Sequence, residues 1–131
     1  MRAISSRVRG KLQQQVAIRG HSLTADEPVK HGGEDSGPSP QELLAASLAS
    51  CTAITMEMYA ERKGWDIGDV TVDVDYEAAQ RGSPTRFVMN VQLPKEMPED
   101  QRDRLMQIAA KCPVHRALEG EVMFEETVEL R

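Results

Sequence analysis

Residues 39–64 read SPQELLAASLASCTAITMEMYAERKG, and this stretch decides the fold. Ser39 is a favourable N-cap, Pro40 suits the first helical position, and Glu42 completes a capping box with Ser39. After two basic residues Gly64 provides a stop signal, because glycine readily adopts the backbone conformation that ends a helix. The sequence therefore predicts one long helix that begins at Pro40 and ends before Gly64.

The middle of this helix carries no charge. From Leu43 to Met56 it reads LLAASLASCTAITM. A helix on the surface of a protein normally shows charges on one face, so we expect this one to be surrounded for about four turns. One chain of 131 residues supplies too little sheet to surround it. We therefore expect a second copy of the chain to cover the helix in a homodimer with a large interface.

Alternating apolar residues mark the predicted strands. Residues 5–25 suggest two or three short strands, with turns around Gly10 and Gly20. The alternation of 122–130 predicts a last strand. Between these lies a predicted antiparallel hairpin with a turn at 80–84, and its strands carry the apolar residues Val70, Val72, Val74 and Tyr76, then Phe87, Met89, Val91 and Leu93.

A second helix is predicted to begin at Pro98 and to run to about Lys111, because Pro113 disfavours helix at the residue before it. A short turn is expected over 115–118. The order of elements is strands, long helix, two strands, helix and strand. Such segregation is typical of an α+β fold with an antiparallel sheet, and we expect one domain over residues 1–131.

The composition excludes several functional classes. The chain is 40% hydrophobic and 28% charged, as is usual for a soluble globular protein. Its net charge of −5 argues against a nucleic-acid partner. No uncharged apolar run approaches the roughly 18 residues that a membrane span requires, so no membrane is expected. The first 20 residues lack the apolar segment of a secretory signal, so we expect a cytoplasmic protein.

Two cysteines, Cys51 and Cys112, are the first candidates for chemistry. Structural disulfides are rare in the cytosol, and intracellular cysteines are often small, inert apolar residues. Cys51 lies midway along the neutral helix, where burial would raise the pKa of a thiol. Cys112 has basic neighbours, Lys111 and Arg116, which favour a thiolate. The same two residues could equally serve to stabilise the negative end of a helix dipole. The residues alone leave packing and reactivity open for both thiols.

Neither a metal nor a cofactor is expected. Cys112 and His115 have the spacing C-x₂-H, but a structural zinc usually takes four ligands in two local pairs, and Cys51 has no cysteine or histidine near it. The loop at 26–40 contains three prolines and three glycines, and it lacks the Lys-Ser or Lys-Thr of a phosphate loop. The chain also lacks the G-x-S-x-G motif of a serine hydrolase.

Two segments together resemble a known family. GPSPQELLAASLASCT at 37–52 and KCPVHRALEG at 111–120 are similar to the two cysteine motifs of the OsmC/Ohr family of thiol-dependent hydroperoxide reductases. The resemblance extends from about Asp26 to the end of the chain. It implies an intertwined α+β homodimer with two long central helices, and the order of elements described above agrees with that fold.

The resemblance also implies a role for each cysteine. Cys51 matches the peroxidatic cysteine, whose thiolate attacks an organic hydroperoxide and leaves an alcohol and a sulfenic acid. Cys112 matches the resolving cysteine, which condenses with the sulfenic acid to form a disulfide. An external dithiol, such as that of a lipoylated protein, then restores both thiols. The implied function is that of a cytoplasmic antioxidant peroxidase of the stress response.

The family further implies an acidic residue and an activating cation. Gln41 stands where the Ohr branch has its glutamate, so Glu42 is the candidate acid. The arginine of the Ohr branch falls at Arg9 in the first hairpin turn, and Arg19 is another candidate. The OsmC branch carries its arginine in the loop before the long helix, where this chain has Lys30, which lacks the bidentate geometry of a guanidinium.

An alternative function keeps the fold without the catalysis. The protein would then be a non-catalytic OsmC-like dimer that binds a small apolar or thiol-reactive ligand between its subunits. The missing arginine before the helix and the neutral helix itself motivate this alternative. A pKa of Cys51 below the value of about 8.5 for a free thiol favours the enzyme, whereas a higher pKa favours binding or packing.

Overall fold

The structure is a computed structural model that describes residues 1–7, 10–93 and 96–130. The prediction of an α+β fold with antiparallel sheets, one long helix and a second helix is confirmed. A short 3₁₀ turn at Val29–His31 precedes the long helix. The elements in chain order are β1 (Ile4–Arg7), β2 (Gln14–Ile18), β3 (His21–Ala25), α1 (Pro40–Lys63), β4 (Thr71–Glu77), β5 (Arg86–Gln92), α2 (Glu99–Ala109) and α3 (Pro113–Glu119).

The predicted bounds of α1 are confirmed, and the capping box forms as expected. The backbone N–H of Ser39 donates to Oε1 of Glu42 at 2.9 Å, and the backbone N–H of Glu42 donates to Oγ of Ser39 at 3.2 Å. At the other end Gly64 takes a positive φ of 70°. Glycine adopts this conformation without the steric cost that a Cβ would impose, so the helix ends there.

The chain divides into two compact units. The first consists of Met1–Ala46 and Tyr76–Phe87, and the second of Ser47–Asp75 and the residues from Val88 onward. The expectation of one domain over residues 1–131 stays a prediction.

The first unit contains an antiparallel sheet in the order β1-β2-β3. Ile4 pairs with Ala17 across the first two strands, and Val16 pairs with Leu23 across the next two. Of the two or three short strands predicted within residues 5–25, three are present, and the first begins one residue earlier, at Ile4. Aromatic packing supports the tip of the β4–β5 hairpin, where the rings of Tyr76 and Phe87 meet edge to face at 5.2 Å.

A buried carboxylate organises the loop that follows β3. Asp26 is only 3% exposed. Its carboxylate accepts the backbone N–H groups of Glu27, Glu34 and Ser36 at 2.8, 3.2 and 3.1 Å, and the Ser36 hydroxyl at 2.7 Å. These donors, with the Ser36 hydroxyl first, lower the pKa of Asp26 to about 2. The loop needs glycine at Gly33, where a Cβ would lie 2.0 Å from the carbonyl oxygen of Glu27.

The core of the second unit forms where α2 packs on α1. Met56, Tyr59 and Ala60 of α1 meet Leu105 and Ile108 of α2. A polar contact joins the same helices, because Nε of Arg104 donates to the Tyr59 hydroxyl at 3.0 Å. This hydrogen bond is the main reason that the pKa of Tyr59 is lowered.

Two predictions for the C-terminal third are wrong. The last strand predicted over 122–130 does not form, because residues 121–130 have no regular secondary structure. Apolar alternation shows only that one face of a segment could be covered, and a strand also needs an edge to pair with. The turn predicted over 115–118 is part of α3. Pro113 stands at the first position of that helix, where proline is favourable, so it begins a helix as well as ending one.

One face of α1 carries apolar side chains that one chain leaves uncovered. Ile54 is 55% exposed and Met58 is 58% exposed. The helix also contains an 18-residue window with a mean hydropathy of 1.3, which makes it long and apolar enough to cross a membrane by length and composition alone. This is weak evidence for a membrane, since the core helix of a soluble protein passes the same test.

Candidate functional site

Two elements of the second unit carry the two thiols. Cys51 lies on α1, and Cys112 is the N-cap of α3. Cys112 holds this position because Pro113 follows it and fixes the first helical residue. Both cysteines are free thiols. They differ in access, because Cys51 is partly exposed whereas Cys112 is 0% exposed.

The fold brings the two thiols close enough to influence each other, although they are far apart in the sequence. The Cys51 thiol hydrogen bonds with the Cys112 side chain, and it also receives hydrogen bonds from the Val114 backbone N–H and the Thr55 hydroxyl. Sγ of Cys112 accepts the His115 backbone N–H at 3.3 Å. A disulfide forms only between cysteines that the fold holds near each other, and Cys51 and Cys112 are such a pair.

A buried hydroxyl completes the surroundings of Cys112. Oγ1 of Thr52 lies 3.7 Å from Sγ of Cys112, within hydrogen-bonding distance for sulfur. Thr52 is 0% exposed, so its hydroxyl cannot turn to bulk water instead. A buried hydroxyl is costly unless it has a partner, and the Cys112 sulfur provides one.

The electrostatics of the site keep Cys51 protonated in the resting state. Burial is the largest cause that raises the pKa of the Cys51 thiol, and the Cys112 side chain raises it further. The Val114 N–H and the Thr55 hydroxyl act in the opposite direction, because they donate to the sulfur. In the part of the chain that the structure describes, no lysine or arginine contributes to lowering this pKa.

The other predicted site residues lie in the first unit or outside the described residues. Arg9 lies outside the described residues. Glu42 is engaged in the capping box, where the Ser39 N–H and then the Ser39 hydroxyl lower its pKa. Arg19 lies in the turn after β2 with a positive φ of 55°, and Lys30 lies in the 3₁₀ turn. Both belong to the first unit, whereas the thiols belong to the second.

Sequence reasoning missed Thr52 and Thr55. Thr55 stands four residues after Cys51, and side chains at this spacing are neighbours on a helix, so this contact had a signal in the sequence. The contact between Thr52 and Cys112 had none, because it depends on where α3 packs. The backbone N–H groups of Val114 and His115 could not be assigned before α3 itself was known.

His115 also borders a small apolar cavity. Its Nδ1 contacts the Glu119 carboxylate one turn along α3. The cavity has a volume of about 130 Å³ and is lined by Met89, Val91, Met106, Ala109, Ala110 and His115. Within residues 1–7, 10–93 and 96–130, no group of three or more His, Cys, Asp or Glu side chains could hold a metal ion.

The fold and the site define a class of small α+β protein in which a long helix and the N-cap of a short helix hold two free thiols in contact. The chain belongs to the OsmC-like protein family, whose model matches residues 33–127. An uncharacterised protein of Haloferax volcanii is 27% identical over 97 residues, which cover 72% of this chain and 74% of that protein.

Solved structures share this fold at low sequence identity. A protein of Psychrobacter arcticus named for osmotic stress and a detoxification response is 24% identical, with a TM-score of 0.75 over 88% of this chain and 85% of that one. An organic hydroperoxide resistance protein OsmC of Legionella pneumophila is 20% identical, with a TM-score of 0.64 and coverages of 90% and 88%. The organic hydroperoxide resistance protein OhrB of Bacillus subtilis is 17% identical, with a TM-score of 0.61 and coverages of 91% and 90%.

Proposed function

We propose that this protein is a thiol-dependent peroxidase that reduces organic hydroperoxides to alcohols. The observation that carries the proposal is the proximity of the Cys51 and Cys112 thiols, one partly exposed and the other buried. Membership of the OsmC-like family supports it, as do two structural relatives that are named organic hydroperoxide resistance proteins.

The first step oxidises Cys51. The Cys51 thiolate attacks the terminal oxygen of the hydroperoxide, the O–O bond breaks, and the departing alkoxide takes a proton to become the alcohol. The sulfur keeps the transferred oxygen and its hydrogen as a sulfenic acid. Cys51 is the attacking residue because its side chain is partly exposed, whereas a hydroperoxide has no direct access to the fully buried Cys112.

The second and third steps restore the thiols. The Cys112 thiolate attacks the Cys51 sulfur, the S–O bond breaks, and the hydroxide that leaves is protonated to water. An external dithiol then attacks the Cys51–Cys112 disulfide, forms a mixed disulfide and closes on itself as a new disulfide. The net reaction converts one hydroperoxide and one dithiol into an alcohol, water and an oxidised dithiol, with no further cofactor. A lipoylated protein is the proposed source of the dithiol.

The activating residues belong to this proposal. Arg9 is the first choice for a cation that stabilises the Cys51 thiolate, because it matches the arginine that the Ohr branch carries in the first hairpin turn, and Arg19 and Lys30 are the alternatives. Glu42 would act by orienting the cation, in addition to its role in the helix cap. The three candidates are distinguished by replacing each one with alanine and measuring peroxide turnover at pH 7. Only the loss of the activating residue should lower the rate by more than about tenfold.

The proposed assembly is a cytoplasmic homodimer. The exposed Ile54 and Met58 side chains and the uncovered residues 121–130 support it, because apolar groups in such positions gain free energy when another surface covers them. A second copy of the chain is the occupant that the family resemblance implies. Sedimentation at micromolar concentration tests this, and a monomer under those conditions would contradict it.

The function is tested by the consumption of cumene hydroperoxide in the presence of dihydrolipoamide. Cys51→Ser should remove almost all turnover, because serine cannot form the reactive thiolate. Without the dithiol, Cys112→Ser should reduce one equivalent of hydroperoxide and stop as a sulfenic acid, since no second thiol of the chain can condense with it. Ser50→Ala, an exposed position on the same helix, is the matched control and should keep the wild-type rate. Turnover by Cys51→Ser at the wild-type rate would overturn the proposal.

The raised pKa of Cys51 favours a second candidate function. A largely protonated thiol is a poor nucleophile at neutral pH, which fits a non-catalytic dimer that binds a small apolar or thiol-reactive ligand. The two candidates differ in a simple measurement. A binding protein should be stabilised against heat by cumene hydroperoxide or its alcohol while consuming no hydroperoxide, whereas the enzyme should consume it.

A further inference from the structure

The two sulfur atoms have the same kind of surroundings. Each receives one backbone N–H from the first turn of α3, Val114 for Cys51 and His115 for Cys112. Each also meets one threonine hydroxyl from α1, Thr55 for Cys51 and Thr52 for Cys112. Each of these N–H and hydroxyl groups can donate a hydrogen bond to a thiolate, and each of them is uncharged.

The hydroxyl contacts are specific in geometry. Thr55 lies one turn after Cys51 on the same helix, so its hydroxyl reaches back to the sulfur within one element. Thr52 lies next to Cys51 in sequence but contacts the other thiol, at 3.7 Å and at a fully buried position. Two threonine hydroxyls of the same helix therefore interact with two different sulfur atoms.

We propose, on the basis of the proposed peroxidase function, that Thr55 is a positioning residue for the Cys51 thiolate in the attack on peroxide, and that Thr52 is a positioning residue for the Cys112 thiolate in the attack on the sulfenic acid. A thiolate has no hydrogen of its own and can only accept, so each hydroxyl must turn to donate when its sulfur loses the proton. A hydrogen bond to an ion is stronger than one to a neutral group, so the hydroxyl stabilises the reactive form more than the resting thiol.

The assignment predicts that the two threonines affect different steps. Without the Thr55 hydroxyl, Cys51 should form less thiolate at a given pH and the peroxide step should slow. Without the Thr52 hydroxyl, Cys112 should be the poorer nucleophile, and the disulfide step should slow more than the peroxide step. A purely structural role for either residue would lower stability without separating the two steps.

The experiment compares Thr55→Val, which keeps the branched shape and removes the hydroxyl, with Thr55→Ser, which keeps the hydroxyl. The rate of Cys51 alkylation by iodoacetamide is measured against pH in the full chain. Thr55→Val should move the midpoint of the profile up by about one pH unit, which is a tenfold loss of thiolate at a fixed pH below the midpoint. Thr55→Ser should restore the wild-type midpoint. An unchanged midpoint in Thr55→Val would overturn the assignment of Thr55.

Thr52 is tested by stopped-flow oxidation with one equivalent of cumene hydroperoxide, which resolves sulfenic acid formation from disulfide formation. Thr52→Val should slow the second phase by about tenfold and the first phase by less, and Thr52→Ser should restore the second phase. Because Thr52 is buried, Thr52→Ala serves in place of Thr52→Val should the latter fail to fold. Equal slowing of both phases, or of neither, would overturn the assignment of Thr52.

The design separates this inference from the proposed function. Alkylation does not use peroxide, so a shifted midpoint in Thr55→Val supports the role of Thr55 at the Cys51 thiolate even in a protein that consumes no hydroperoxide. Absence of consumption by the wild-type chain would contradict the peroxidase alone. Normal consumption with an unshifted midpoint would contradict the assignment of Thr55 alone. Ser50→Ala is again the matched control, because its hydroxyl donates to the Ser47 carbonyl.

Discussion

Asp26 and Cys51 are both ionisable groups that lose solvent on folding, yet the protein favours the charged form of one and the neutral form of the other. The pKa of the Asp26 carboxyl falls to about 2, whereas the pKa of the Cys51 thiol rises above its usual value. Burial opposes ionisation in both cases. The difference lies in the donors, since among the described residues Asp26 accepts four hydrogen bonds and Cys51 accepts those of Val114 and Thr55.

The comparison shows that the number of hydrogen-bond donors decides whether a group is always charged, as Asp26 is, or has a latent charge that appears only when it loses its proton, as in Cys51. Three backbone N–H groups and a hydroxyl converge on Asp26, so its charge is permanent at neutral pH and holds the loop. The pKa of the Cys51 thiol is instead raised, first by burial and then by the neighbouring Cys112 side chain, so its neutral form is favoured. A group that must react needs to change its protonation state, and a group that must hold a loop needs to keep it.

The largest expected effect comes from removing the charge of Asp26. Asp26→Asn keeps the size of the side chain but replaces one acceptor oxygen with a donor, which then faces N–H groups. We expect the melting temperature at pH 7 to fall by at least about 5 °C, because buried polar groups are left without partners. Differential scanning calorimetry measures this change. The matched control is Asp73→Asn, at an exposed position on β4, which should change the melting temperature by no more than about 1 °C.

The lowered pKa of Asp26 also predicts how the stability of the protein changes with pH. A carboxyl whose pKa is lower in the folded chain stabilises the protein above its unfolded pKa, and this contribution is lost as pH falls through the folded value. For Asp26 the loss should therefore occur between about pH 4 and pH 2. Asp26→Asn should lack this part of the acid transition. An identical acid transition in both proteins would show that the four donors do not favour the charge.

The second effect concerns Cys51 and is smaller. Because burial and Cys112 raise its pKa, Cys51 should be alkylated more slowly than a free thiol at pH 7 once the proposed cation is removed in Arg9→Ala, and the midpoint of that profile should lie above about 8.5. Cys112→Ser should lower the midpoint, since the Cys112 side chain is one of the causes that raise it. A wild-type midpoint below that of a free thiol would mean that a cation activates Cys51 and would reverse the comparison with Asp26.

The sequence predicted the parts of the fold whose signals are local. The bounds of α1 follow from Ser39, Pro40 and Gly64, and each of them acts within one helical turn of its own position. The hairpin and the three short strands follow from alternation and turn residues. The last strand failed because a strand needs an edge, and no local pattern shows where that edge is.

The two cysteines of the candidate site could be identified from the sequence, but the pKa of the Cys51 thiol could not be predicted from it. Cys51 and Cys112 could be chosen from the sequence, yet the pKa of Cys51 depends on its burial and on donors that come from another helix. The same limit applies to Asp26, whose partners lie as far away as Ser36 and form only when the loop closes. Donor number, which decides between a permanent and a latent charge, is therefore a property of the folded chain.

The smallest expected effect comes from the helix cap formed by Ser39 and Glu42. The carboxylate of Glu42, like that of Asp26, has a lowered pKa. Its pKa is lowered by Ser39 alone, through one N–H and one hydroxyl, so its charge is favoured by fewer donors than that of Asp26. Ser39→Ala removes the hydroxyl that caps α1 and should cost about 1 kcal/mol of the free energy of unfolding, measured by urea denaturation.

Glu42→Gln tests whether this acid does more than cap the helix. The amide oxygen can still accept the Ser39 N–H, so the variant should retain most of the stability that Ser39→Ala loses. It nevertheless removes the charge. If Glu42 orients an activating cation as proposed, Glu42→Gln should lower peroxide turnover several-fold while Ser39→Ala should not. Parallel small losses of stability, with turnover intact in both variants, would restrict Glu42 to the cap and leave the Cys51 thiolate dependent on its hydrogen-bond donors.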